Sequence, residues 1–107
     1  MNTQFKKGIV EMCILSVVKK KDMYGFEVID TLSKEIDVNE NTVYPILRRL
    51  TGQGLFETYE KTTNVGAPRK YYKMTSLGLK KYDEYEHEWK AFLEGVFKLL
   101  GGLSHES

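Results

Sequence analysis

The hydrophobic period of this chain changes twice, and that limits its fold more than any other feature. Up to Leu50 the apolar residues recur at 3- and 4-residue steps, the spacing of helix faces. From Leu55 to Thr75 the side chains alternate in segments rich in aromatic and β-branched residues, the spacing of strands. From Ser76 onward the helical step returns. The order is therefore helices, a pair of strands, then one more helix. A chain of 107 residues leaves room for one small domain and an appendage. The fold class expected is mainly α with a small β-hairpin (α+β).

Phe5 to Lys20 reads as the first helix. Phe5, Ile9, Val10, Met12, Cys13, Ile14, Leu15, Val17 and Val18 leave it little polar face. A helix apolar nearly all round needs cover on more than one side. A second chain is the economical source of that cover. Cys13 is the single cysteine, so no internal disulfide forms. It reads as a small, inert core residue. Tyr24 to Glu35 is a second helix, with Phe26, Val28, Ile29, Leu32 and Ile36 on its apolar side. Gly25 in its first turn permits a close approach.

The third helix runs through NENTVYPILRRLTGQG, residues 39–54. Asn39 is a good N-cap, and Glu40 suits the positive end of the helix dipole. Val43, Ile46, Leu47 and Leu50 form its apolar face; Gly52 and Gly54 are stop residues. Pro45 should distort the first turn or delay the helix to about Tyr44. The polar face carries Asn41, Thr42, Tyr44, Arg48 and Arg49 and no carboxylate, a set suited to phosphates and base edges. Two helices joined by a short turn, the second with such a face, make a helix-turn-helix.

The segments 55–61 and 69–75 form a hairpin with a loop of about seven residues containing Asn64, Gly66 and Pro68. Lys61, Arg69 and Lys70 flank that loop. Residues 61–81 hold six basic residues and no acid, whereas the stretch after them holds six acids and two bases. With a net charge of only +1, the chain offers a polyanion one local patch. A basic hairpin after a helix-turn-helix is a wing that reaches backbone or minor groove.

Thr75 or Ser76 caps the last helix. Tyr82, Tyr85, Trp89, Phe92, Val96 and Leu99 recur at heptad steps, widened by Leu93, Phe97 and Leu100. This seam exceeds what the preceding core can cover. Together with the first helix it predicts a homodimer. The expected units are a DNA-binding domain over 1–75, a dimerisation helix over 76–101 ended by Gly101 and Gly102, and a frayed tail over 102–107.

The composition, 41% hydrophobic and 29% charged, is that of a soluble protein. No run is long enough for a membrane helix, and the N-terminus lacks a signal-peptide layout, so a cytoplasmic location is expected. His87 and His105 stand apart from any metal-ligand spacing, and no nucleophile–base pair or phosphate-cradling loop is present. No enzyme activity and no cofactor are expected. An interaction module that binds protein instead of DNA is the alternative, and the basic wing argues against it.

MYGFEVID, NTVYPILRRLTGQGLF and GAPRKYYKMTSLG, in that order, resemble the second helix, the recognition helix with its first strand, and the wing of the PadR family of bacterial transcriptional repressors. The resemblance runs from about Ile9 to Leu100. It implies a winged helix-turn-helix homodimer on a pseudo-palindromic double-stranded DNA operator. It places DNA contact on Asn41, Thr42 and Tyr44, and phosphate contact on Arg48, Lys61, Arg69 and Lys70. Arg49 ranks lower.

The single C-terminal helix looks like the smaller subfamily. In its multidrug-responsive branch a tryptophan of the last helix stacks on flat aromatic drugs in a central dimer pore. Trp89 stands at the matching position, and Met12, Ser16, Tyr85 and Leu93 would line such a pore. A small planar aromatic effector is the ligand this implies. Tyr85 and Leu93 are bulkier and less polar than that pattern, and this departure favours a filled seam.

Overall fold

The computed structural model describes residues 3–63 and 65–102. The side chain of Phe5, the turn residue Asn64, His105 and most of the expected tail lie outside the described residues. The chain order is α1 (Thr3–Lys20), β1 (Met23–Tyr24), α2 (Gly25–Ser33), α3 (Glu40–Gly52), β2 (Phe56–Thr63), β3 (Gly66–Met74) and α4 (Ser76–Leu99). Among the described residues, four helices and a three-stranded antiparallel sheet make an α+β winged helix; the periods predict the four helices and two of the strands.

The core forms where the apolar faces of α1, α2 and α3 meet the inner face of the sheet. Val10, Ile14, Leu15 and Val18 of α1 join Val28 and Leu32 of α2. Val43, Ile46, Leu47 and Leu50 of α3 are all buried, the four positions its spacing marks. Leu55, Phe56 and Tyr72 close the sheet side, and Tyr82 is the C-terminal member of the cluster.

Four expectations change. The sheet has a third strand, because Tyr24 is extended (φ −86°, ψ 162°) and β1 pairs with β3 at Met23↔Tyr72 and Tyr24↔Tyr71. Two residues show no period, so the strand left no signal in the sequence. It also delays α2 to Gly25. Second, Phe26 is 63% exposed. The buried stripe of α2 is Gly25, Val28 and Leu32, and Phe26 stands one position off it.

Third, α3 starts at Glu40 and runs unbroken through Pro45. The proline sits early in the helix, where Asn41 and Pro45 are both exposed, so water can take the carbonyl it leaves unpaired. Fourth, the wing loop is short: the ladder continues to Thr63↔Gly66, with an irregularity between Lys61 and Thr63. Gly66 has φ +143°, a conformation other residues rarely adopt.

Asn39 caps α3 as expected, its Oδ1 accepting the Asn41 N–H at 2.9 Å. Thr75, not Ser76, caps α4. Beyond Tyr82 no described α4 residue is buried, and Phe92 (60%), Leu99 (88%) and Leu100 (75%) stand open. A helix of this length spans about 36 Å, in a molecule 52 Å along its longest axis. Gly101 and Gly102, both at positive φ, follow it. Among the described residues no helix is long and apolar enough to cross a membrane.

Candidate nucleic-acid interface

The burial of Val43, Ile46, Leu47 and Leu50 turns the opposite side of α3 outward. Asn41, Pro45, Arg48 and Arg49 are exposed; Thr42 and Tyr44 are half-buried. Asn41, Pro45 and Arg48 follow one another at helical steps along the outer stripe. Pro45, a disturbance as far as the sequence goes, occupies the middle of that face. Its apolar ring is a suitable neighbour for a thymine methyl.

Tyr44 leans back onto α2. A Cβ at Gly25 would stand 2.5 Å from its ring Cε1 and 3.0 Å from its hydroxyl oxygen. The close approach expected at Gly25 is therefore to Tyr44. The hydroxyl stands at the start of α2, which has no side-chain cap. Arg49 is engaged differently: its Nη2 donates to Glu11 Oε1 of α1 at 3.0 Å. Burial pushes the Tyr85 hydroxyl of α4 up in pKa, and the Glu11 carboxylate beside it adds to the effect. The Arg49–Glu11–Tyr85 group joins α3, α1 and α4.

The antiparallel register divides the wing cations between two faces. Tyr24, Tyr71 and Tyr59 are aligned across the three strands on the outer face. Lys61 and Arg69 pair directly across β2 and β3 on that face. Lys70 belongs to the other face, opposite Glu60, with its Nζ 6.0 Å from the Tyr72 ring centroid. Glu57 likewise faces Lys73. Cross-strand carboxylates thus offset part of a stretch that contains no acid when read linearly. All three predicted wing cations are exposed, and none is ion-paired among the described residues.

The wing base is fastened by Tyr59, whose hydroxyl donates to Asp22 Oδ2 at 2.7 Å. That bond, more than desolvation or the charge of Asp22, pushes the phenol up to about 12. A raised pKa favours the protonated form in the folded protein. The contribution is therefore complete below the ordinary phenol pKa near 10 and is lost as pH rises through about 12. In an ultraviolet titration, Tyr59→Phe is expected to remove a phenol ionising near 12.

Of the residues that the resemblance assigns to an effector, two share a groove among the described residues. Met12 and Ser16 line a groove of about 360 Å³ with Cys13, Leu32, Ile36 and Tyr82, rimmed by Lys20, Glu35, Glu86 and Lys90. Trp89, Tyr85 and Leu93 are not among its lining residues. The Trp89 ring lies over Gly8, 3.5 Å from where a Cβ would stand, and meets Phe92 edge-on at 6.4 Å. Burial also raises the pKa of the half-buried Cys13 thiol, in keeping with an unreactive residue. Among the described residues no group of three or more His, Cys, Asp or Glu could hold a metal ion.

Comparison with known proteins agrees with this geometry. A PadR-like transcriptional regulator of Bacillus cereus superposes with a TM-score of 0.83 at 34% identity, covering 94% of this chain and 99% of that one. A PadR-like transcription factor of Bacteroides fragilis superposes at 0.77 with 35% identity over 91% of this chain and 95% of that one. A transcriptional regulator of Mycobacterium tuberculosis is 28% identical over 103 residues, 95% of this chain and 92% of the relative. The sequence pattern of the transcriptional regulator PadR-like family matches residues 14–84. The chain belongs to the PadR-like family of transcriptional regulators.

Proposed function

We propose that this regulator is a repressor that binds a pseudo-palindromic DNA operator as a homodimer. The observation that carries the reading is the outer side of α3. Asn41, Thr42, Tyr44 and Arg48 face outward or lie half-open there, in a fold whose wing adds the exposed cations Lys61, Arg69 and Lys70. Amides, hydroxyls and Arg48 suit base edges and phosphates in the major groove. The wing cations suit the flanking backbone. Selection of bound fragments from a random DNA library at ~150 mM salt, where non-specific binding is weak, tests it. Enrichment of a two-fold-symmetric site, with half-sites about one helical turn apart, is the expected result. No enrichment from a folded dimer overturns the reading in favour of a protein-interaction module.

The homodimer is proposed on the open apolar end of α4 and the uncovered groove beside α1. Single exposed leucines are ordinary, but Phe92, Leu99 and Leu100 along one helix end make a surface that association would cover. Leu99→Asp combined with Leu100→Asp is expected to yield the mass of one chain in sedimentation equilibrium. The unaltered protein is expected at twice that mass. We assign a planar aromatic effector to Trp89 with Tyr85, Met12, Ser16 and Leu93 only across the two-fold axis, where a second copy adds the missing walls. Quenching of the single tryptophan by planar dyes, absent in a monomeric variant, tests that assignment.

A further inference from the structure

The outer face of the sheet sets two like charges directly opposite one another. Lys61 and Arg69 are register partners on β2 and β3. Opposed like charges destabilise a strand pair, and among the described residues no carboxylate pairs with either. The acid nearest in register, Glu60, lies on the other face opposite Lys70. Glu57 lies opposite Lys73, and Asp22 accepts from Tyr59.

Each cation rests on a ring one strand closer to β1. Lys61 Nζ is 5.4 Å from the Tyr71 centroid, and Arg69 Cζ is 4.4 Å from the Tyr24 centroid. The rings themselves form a ladder. Tyr24 and Tyr71 are 5.5 Å apart and tilted; Tyr71 and Tyr59 are 5.5 Å apart and stacked. The Tyr59–Asp22 bond anchors its far end. A guanidinium lying over a ring keeps its N–H edges free for an oxyanion. Holding both side chains in place beforehand lowers the ordering cost when an anion arrives.

We propose that Tyr24 and Tyr71 are positioning residues that hold Lys61 and Arg69 as a two-cation clamp for the phosphate backbone of duplex DNA. The proposal rests on the DNA-binding reading above. It is tested with a labelled duplex of random sequence titrated over a salt series. Tyr24→Phe with Tyr71→Phe keeps both rings and is expected to bind within about twofold of the unaltered protein. Tyr24→Leu with Tyr71→Leu is expected to bind roughly tenfold more weakly, with a salt slope smaller in magnitude by about one to two.

A leucine pair that binds more weakly with an unchanged slope would mean the ladder only stiffens the sheet, which overturns the proposal. If circular dichroism shows the leucine pair unfolded, Arg69→Lys decides, because it keeps the charge and removes the planar stack. Several-fold weaker binding is expected of it, and binding equal to the unaltered protein overturns the proposal. An unaltered protein that binds no duplex even at ~0.02 M salt, where backbone contacts are strongest, overturns the DNA-binding reading and this proposal with it. Where the unaltered protein binds, only the positioning role is at stake.

Discussion

Replacing Lys61 and Arg69 together by alanine is expected to weaken DNA binding about a thousandfold at ~0.15 M salt. The proposed dimer presents four of these cations. Each phosphate contact on duplex DNA contributes about 0.9 to the slope of log affinity against log salt. A dimer neutralising roughly eight phosphates has a slope near −7, and loss of four contacts brings it to about −3.6. The two lines converge near ~1 M salt and therefore stand about three decades apart at ~0.15 M. The loss is expected on operator and random duplex alike, because phosphate contacts carry no sequence information. Arg48→Ala, on the reading face, should alter sequence preference as well. Fluorescence anisotropy across a salt series measures both. A double variant that keeps the original slope would remove the wing from the backbone contacts.

How far that arrangement is legible in the sequence depends on the range of each signal. The apolar stripe of α3 and its Asn39 cap are local patterns, and both are found in place. The helix α4 is also legible, since a 3- and 4-residue step kept over so many positions aligns one apolar stripe along a single helix. The wing's two faces are not, because they follow from register. Register across β2 and β3 puts Glu60 beside Lys70 and leaves Lys61 beside Arg69, which a linear count of charge cannot reveal.

The strand β1 escapes the sequence for a different reason: two residues carry no period, and its partner lies some fifty positions away. Phe26 shows the limit of a hydrophobicity pattern, which finds apolar residues but not which of two adjacent ones faces inward. The contact of Arg49 with Glu11, 38 positions away, is likewise beyond the reach of a local pattern.

Gly78→Ala is expected to destabilise the fold more than any other small change to the hinge between the wing and α4. Gly78 is buried, where the end of α3, the start of β2, the end of β3 and the start of α4 meet. A Cβ there would stand 2.2 Å from the Leu55 carbonyl oxygen and 2.6 Å from Met74 Sδ. The sulfur can swing aside. The carbonyl cannot, because it accepts from the Thr75 N–H at 3.1 Å and from the Thr75 hydroxyl at 3.0 Å.

The same hydroxyl oxygen accepts the Gly78 N–H at 2.9 Å and so caps α4. Relief of the clash therefore displaces the helix start and breaks its cap together. Overpacking costs about 1–3 kcal/mol and a lost cap about 1 kcal/mol. A total of about 2–4 kcal/mol lowers the melting temperature of so small a domain by roughly 10–25 °C. Gly52→Ala is the control: nothing lies within 4 Å of its added carbon, and alanine at a helix end is expected to change stability by less than about 1 kcal/mol. Thermal melts of both variants at one protein concentration decide the matter, since a dimer's melting temperature depends on concentration. A Gly78→Ala protein that melts with the Gly52→Ala control would show that α4 can shift away from Leu55 at little cost, so that the wing and α4 are not rigidly joined.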